Sequence, residues 1–360
     1  MPLLEKRLEN DLLLIRKRIE DQAVKVAAAV KSAVHALQTG DSDLAYSTIL
    51  NDYPINRTMR EIDRLCHRFI AIHLPSGTHL RLLSAVIRVN IELERIGDYA
   101  VTIAREGVQL SSPPADDAMA RELDRMANET LLMLDQATRA FNELNAELAH
   151  STKMMSGAME YNLDIVYQEI ADTSQTRNYK DTLALFAVFS QLKRVADQAK
   201  NLCEETVFAA TGEQKEPKVF DILFIDEDNS FFSPLAEAIA RKQYPNTGRY
   251  RSAGRTAAEN LNPGLLEFAS SRGISMEDKH PVALNDLTPH EISDQHVIVC
   301  LQGDVSAYLT DIPFHTSVLH WEVGDMAVPG EHDSDDMAEV YRTLAPQVKD
   351  LMDLLSGEET

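Results

Sequence analysis

The feature that most constrains this chain is a helix that occurs twice. Residues 90–107, NIELERIGDYAVTIAREG, read as one amphipathic helix in which Leu93, Ile96, Ala100 and Ile103 recur at three- and four-residue steps. Residues 191–205, QLKRVADQAKNLCEE, superpose on ELERIGDYAVTIARE with a shift of 99 residues, which sets Asp98 on Asp197 and Glu94 on Lys193. An amphipathic helix must bury its apolar stripe against neighbours, so a duplicated helix implies a duplicated helical unit. Glu94 and Asp98 project from one face about one turn apart. Like charges at that spacing cost a bare helix roughly 0.2–0.5 kcal/mol. A cation is therefore expected beside them: Arg95, Arg105 or a bound metal ion. The repeat is asymmetric at its most charged position, where Lys193 replaces the glutamate.

A length of 360 residues favours two or three domains, and an apolar fraction of 44% supplies ordinary cores. No apolar run approaches the roughly 18 residues of a membrane span. Residues 1–18 are charged and helical in pattern, so no signal peptide is expected. Cys66, Cys203 and Cys300 are sparse and lack a CxxC spacing, which favours a reducing cytoplasm over a disulfide framework. The net charge of −22 is uneven: from Val219 on there are 25 acidic and 9 basic residues, against 32 and 26 in Met1–Lys218. That balance argues against nucleic acid and anionic membrane as direct partners of the second part.

Along the chain, the first repeat predicts helices over Leu3–Gln38, Asp43–Asp52, Ile55–His73 and Leu80–Val108, with Asp41 or Ser42 as an N-cap and Pro75-Ser76-Gly77 as a turn. Ser111-Ser112-Pro113-Pro114 separates the halves. The pattern then recurs as Ala118–Ser151, Met155–Ser174 and Tyr179–Ala210. Two sets of three long helices imply a pair of three-helix bundles, with repeats over about 1–110 and 117–210. Cys66 and Cys203 read as buried small hydrophobes, and Met154, Met155 and Met159 as core filling. Arg81, Arg88 and Arg95 recur every seven residues. They form either a basic stripe for an acidic partner or the counter-charge of the bundle.

The paired LERIGDYAVTIARE and LKRVADQAKNLCEE segments resemble the E-x-x-x-D helix motifs of the PhoU family. Ile55-Asn56 and Arg60-Glu61-Ile62-Asp63 agree with that family, and Leu74–Arg81 resembles its Pro-x-x-x-Asp-Leu-Arg, with His79 where an aspartate is usual. The resemblance covers residues 1–211. It implies a cytoplasmic, all-helical, often dimeric regulator of phosphate uptake and phosphate-starvation signalling. Its implied partners are a phosphate ABC transporter and a sensor histidine kinase, with no nucleic acid and no direct membrane insertion. It also implies a divalent or iron metal ion at Glu94 and Asp98, with Glu61, Asp63 and His79 as co-ligands. Lys193 predicts a second site closed by an ion pair to Asp197.

Residues 212–218 are polar and read as a linker. Beyond them the period changes. Val219–Ile225, Tyr250–Ser252, Gln295–Gln302 and Ser317–Trp321 read as strands, alternating with helices from Pro234, over Pro263–Arg272 and over Met337–Leu355. That alternation predicts a flavodoxin-like α/β domain with a parallel sheet over 219–357. ILFIDEDNSFFSPLAEAIA resembles the strand, phosphate loop and first helix of low-molecular-weight tyrosine phosphatases and arsenate reductases. Asn229, Ser233, Pro234, Glu237, Gly254 and Trp321 agree with it.

The departures bear on chemistry. Where that family has its nucleophilic cysteine stands Asp226, and where it has its phosphate-clamping arginine stands Phe232. Glu227 and Asp228 add negative charge to the loop, and Asp325 keeps the place of the general acid. Without thiolate or guanidinium, cysteine-type phosphatase activity is not expected. Asp226-x-Asp228 also resembles the start of an aspartate-nucleophile phosphatase or a phospho-acceptor domain, which keeps a metal-dependent enzyme as an alternative. A metal-binding protein resting on Glu94 and Asp98 is another.

Overall fold

A computed structural model describes residues 2–114, 118–157, 178–215, 217–276, 279–310, 312, 313, 315–321, 323 and 334–357. The chain divides into two compact units, Met1–Lys215 and Glu216–Thr360.

The first unit is helical. In its first half α1 (Pro2–Thr39), α2 (Ser42–Leu50), α3 (Asp52–His73) and α4 (Gly77–Gln109) follow in order. Gly40 takes φ 70°, which only glycine adopts freely, and turns the chain out of α1. The Asp41 carboxylate then accepts the Leu44 amide at 2.9 Å and starts α2. The second half holds α5 (Ala118–Glu143), α6 (Ala146–Met154) and α7 (Tyr179–Thr211). The expected continuous helix over Ala118–Ser151 is broken. It stops at Glu143, Leu144 takes φ 52°, and the Asn145 side chain accepts the Leu148 amide at 3.0 Å to cap α6. This corner repeats the one at Gly40-Asp41. Replacing the cap by Asn145→Ala is expected to lower helical-unit stability by about 1 kcal/mol, read as a shift in a urea unfolding midpoint followed by circular dichroism. An unchanged midpoint would mean the corner holds without its cap. The expected helix over Met155–Ser174 lies mostly outside the described residues.

Helices α4 and α7, the two copies of the repeated helix, pack chiefly against each other, with α1 and α3 against α4 and α5 and α6 against α7. Leu83, Leu93, Ile96 and Ile103 of α4 share one buried core with Phe189, Leu192 and Leu202 of α7. Cys66 and Cys203 are fully buried there, and burial pushes each thiol up to about 12, so both are inert. Met155 packs on this core, but Met154 is 81% exposed: the turn that ends α6 carries it outward, contrary to its expected place inside. Met159 lies outside the described residues.

The second unit is a four-stranded parallel sheet of order β2-β1-β3-β4, built from β1 (Phe220–Asp226), β2 (Gly248–Gly254), β3 (Val297–Cys300) and β4 (Ser317–His320). Helices α8 (Phe232–Gln243), α9 (Pro263–Ser271), α10 (Pro289–Ser293) and α11 (Ser334–Ser356) lie between or after the strands. Alternate side chains of β1 enter different cores. Ile222 and Phe224 pack with α8, α9 and α11, while Leu223 and Ile225 pack with Ile298, Cys300 and Leu284. A strand buried on both faces reads as a continuous apolar run, as ILFI does. The carboxyl end of β1 is thereby left at the crevice where this class of sheet binds ligands. No helix among the described residues is long and apolar enough to cross a membrane.

Candidate functional site

In the helical unit, Glu94 is half-buried and Asp98 exposed on α4. The structure adds a third carboxylate, Asp52, at the first turn of α3. Its Oδ1 lies 3.5 Å from where a Cβ on Gly97 would sit, so glycine between Glu94 and Asp98 lets α3 come close. Burial first, then the charges of Asp98 and Asp52, raise the Glu94 carboxyl above its ordinary value. Burial and then Asp98 likewise raise Asp52, against the pull of Arg105 and the Asn56 hydrogen bond at 2.7 Å. Arg105 thus supplies part of the expected counter-charge, whereas Arg95 pairs with Glu92 at 3.4 Å. Sequence reasoning missed Asp52. Its signal was Gly97, which marks a close approach without naming the segment that approaches.

The remaining expected ligands do not join this face. Asp63 accepts a hydrogen bond at 3.1 Å from Asn90, a fully buried side chain that also donates to the Met59 carbonyl at 2.9 Å. Asp63 is therefore committed to fixing α3 against α4. Glu61 lines a groove with Arg18, Arg64 and Arg68, and His79 is exposed in the first turn of α4. Among the described residues no three His, Cys, Asp or Glu side chains converge as a metal-holding group. The orphaned, buried Oδ1 of Asp52 would suit a cation, and three carboxylates would suit a hard one, but they do not form a closed ligand set. Glu94 and Asp98 share one face of α4, while Asp63 turns to Asn90, Glu61 lines the groove with Arg18 and Arg64, and His79 lies in the first turn of α4.

In the second repeat Lys193 Nζ meets Asp197 Oδ2 at 2.9 Å, the expected ion pair one turn apart. The spaced arginines of α4 serve the bundle itself. Arg88 Nε meets Glu205 Oε1 at 2.6 Å and its guanidinium lies 4.9 Å from the centre of the Phe208 ring, both on α7. Arg81 lies against Gly212 just past the end of α7.

In the α/β unit the loop after β1 is organised around Asp226, which is fully buried. Its Oδ1 accepts the Asn229 amide at 2.6 Å, and its Oδ2 accepts the Ser233 amide at 2.8 Å, at the amino end of α8. These are the backbone donors that a helix start offers to an anion. Here the chain's own carboxylate takes them. Asn229, at φ 53°, donates to Ser233 Oγ at 2.8 Å and accepts the Val282 amide at 2.8 Å. Asp228 accepts the Ser230 amide at 2.9 Å, and Glu227 accepts the Tyr308 hydroxyl at 3.1 Å. Phe232 is buried edge-to-face on Phe231, with ring centres 5.3 Å apart. It therefore points into the core, whereas a phosphate-clamping side chain would have to face the loop. Burial pushes the Asp226 carboxyl up to about 6, helped by the Asp228 charge and resisted by the amides of Ser233 and Asn229. Cys300, the remaining thiol, is buried on β3 and pushed up to about 11 by that burial. Asp325 lies outside the described residues.

Fold and sites together define a two-unit protein: a duplicated helical bundle whose first repeat bears a carboxylate face, and a parallel α/β unit in which the amides at the start of the helix after β1 are taken by its own carboxylate. The family model described as the PhoU domain matches residues 19–107 and 123–206, one match in each repeat. The phosphate-specific transport system accessory protein PhoU homolog 1 of Thermotoga maritima is 28% identical over 206 residues, which span 57% of this chain and 89% of that protein. The crystal structure of PhoU from Pseudomonas aeruginosa superposes with a TM-score of 0.55 at 27% identity, over 57% of this chain and 99% of that one. These comparisons support a relationship of the helical unit to PhoU proteins. An arsenate reductase from Archaeoglobus fulgidus overlaps 36% of this chain and 98% of its own, at 21% identity and a TM-score of 0.31, too low to assign the α/β unit to a family.

Proposed function

We propose that this chain is a non-enzymatic, cytoplasmic regulator of phosphate transport and phosphate-starvation signalling. The observation that carries the reading is the match of both helical repeats, in order, to the PhoU domain. Relatives of the helical unit are by name accessory proteins of phosphate-specific transport, including the PhoU of Escherichia coli. In this reading the chain acts as a homodimer that docks on a phosphate ABC transporter or a sensor histidine kinase. The α/β unit is a pseudophosphatase that docks or senses without turnover. Supporting this, the Asp226 carboxylate is fully buried and each of its oxygens accepts a backbone amide, so attacking phosphorus or holding Mg²⁺ would require it to leave that position. Added phosphate would also meet Asp226, Glu227 and Asp228 in place of a cation.

Deletion in the native host tests the regulatory half. Phosphate uptake and starvation-gene expression are expected to rise under phosphate-replete growth, and unchanged levels with and without phosphate limitation would sink it. Purified chain with p-nitrophenyl phosphate and Mg²⁺ tests the other half. The expected result is no release above background; metal-dependent turnover that disappears on Asp226→Asn would establish the enzyme instead.

A further inference from the structure

Helix α3 carries arginines at 57, 60, 64 and 68, on successive turns and all exposed. At 1.5 Å per residue they make a stripe about 16 Å long. Among the described residues none of the four, nor Arg18 beside them on α1, lies within ion-pair distance of a carboxylate. The side-chain hydrogen bond recorded within the stripe runs from Arg64 Nε to the Arg60 carbonyl, at 3.3 Å.

The chain has 57 acidic residues for 35 basic ones, so neutralising partners are abundant. Several arginines elsewhere in the same unit are matched: Arg88 by Glu205, Arg95 by Glu92, Arg125 by Glu122 and Arg139 by Glu143. On α3 the pairs Arg60–Arg64 and Arg64–Arg68 instead set like charges four residues apart, which costs helix stability. The stripe borders a groove between α1 and α3, a cavity of about 280 Å³ lined by Leu14, Arg18, Glu61, Arg64, Leu65 and Arg68. Leu14 is 43% exposed there, so the groove has an apolar wall beside its basic rim. Glu61, half-buried, is its one carboxylate and pairs with none of these arginines.

We propose that the α1–α3 groove docks an acidic amphipathic segment of a partner protein. Carboxylates one turn apart on that segment meet Arg60, Arg64 and Arg68, and one apolar side chain seats against Leu14 and Leu65. Charge selects this occupant over a phosphate polymer or an anionic bilayer. A nucleic acid or membrane presents charge far beyond a 16 Å stripe and would be repelled by a chain of net charge −22. A short segment feels mainly the local field, since charges beyond about 10 Å are screened at ordinary salt. The inference stands apart from the phosphate-transport reading.

The test uses the full chain and a fluorescein-labelled helical peptide of about 15 residues, with glutamates one turn apart flanking a single leucine. Saturable binding by fluorescence anisotropy is expected, weakening as salt rises from about 50 to 200 mM. The double reversal Arg64→Glu/Arg68→Glu should weaken binding at least about tenfold, while Arg342→Glu in the other unit leaves it unchanged. Circular dichroism melting checks that the reversal folds. If it does not, the neutral pair Arg64→Gln/Arg68→Gln carries the comparison, with an expected loss in the same direction. The proposal is overturned if the peptide does not bind saturably, if the α3 variant binds it as tightly as the parent, or if phosphatidylserine vesicles capture the chain and the peptide does not.

Discussion

Gly254→Ala is expected to destabilise the α/β unit by about 3 kcal/mol or more. A methyl at this position would sit 2.6 Å from the Asn229 amide nitrogen, 2.6 Å from the Asp228 carbonyl carbon and 2.9 Å from the Asp228 Cα. All three are backbone atoms of the Asp226 loop, so no side chain can rotate away. The loop has little freedom to yield either. The amides of Arg255, Thr256 and Ala258 donate to the carbonyls of Asp226, Glu227 and Asp228, and Asn229 is already held at φ 53°. Relief would have to break this ladder or pull the Asp226 carboxylate off its two amides. Trp321, the chain's single tryptophan, packs on Phe224 with ring centres 5.8 Å apart, so its fluorescence follows this unit through urea unfolding. Gly303→Ala is the control. Its φ of 68° is strained for alanine, but the nearest atom to a new methyl is 3.9 Å away, and a loss of about 1 kcal/mol is expected. Equal losses for the two variants would mean the crowding at Gly254 does not govern the loop.

The stability of the same unit should fall as pH rises from about 4 to about 6. Asp226 titrates near 3.8 when exposed and near 6 when folded, because burial disfavours its charged form. Across that window the folded state holds more proton than the unfolded one, so raising pH favours unfolding. The contribution is fully present below the unfolded value and lost above the folded one. A difference of about two pH units corresponds to about 3 kcal/mol. Asp221 has the opposite sign in a different window. Against the cost of burial, hydrogen bonds from His296 and Arg249 hold it down to about 2, so its contribution is lost only as pH falls below the ordinary carboxylate range. Glu291, held near 2 by the Thr288 amide and Arg251, behaves likewise. Because the ordinary value of Glu291 is 4.5, it offsets part of the decline at the low end of this interval, and Asp226→Asn is what singles out the Asp226 contribution. Urea midpoints followed by Trp321 should decline through it in the parent, and the decline should disappear in Asp226→Asn. A parental slope that survives the substitution would assign the titration elsewhere.

Both expectations concern a loop whose composition was legible and whose arrangement was not. The sequence shows Asp226 at the end of an apolar run and Phe232 just ahead of a helix. It does not show that the aspartate turns inward and accepts the amides of Asn229 and Ser233. That outcome depends on Gly254 admitting the loop from β2, the neighbouring strand, and on Phe232 being drawn into the core. The same division holds in the helical unit. The pairing of Lys193 with Asp197 follows from four-residue spacing on one helix and needs no tertiary information. The approach of Asp52 to Glu94 and Asp98, the turning of Asp63 toward Asn90 and the dispersal of Glu61 and His79 depend on how α3 lies on α4.

By itself, then, the sequence determined the periodicities: the duplicated amphipathic helix, the change from a helical period to short apolar strands near Val219, and the asymmetry at Glu94 and Lys193. These are properties of neighbours along one chain, set by side-chain geometry within a helix or strand. Only the tertiary structure decided which charges meet. Arg88 of α4 is absorbed by α7, the α3 arginines face solvent unpaired, and one buried carboxylate takes the amides of a helix start. Helix spacing places a charge on a face, but the partner across that face comes from a distant part of the chain, and packing selects it.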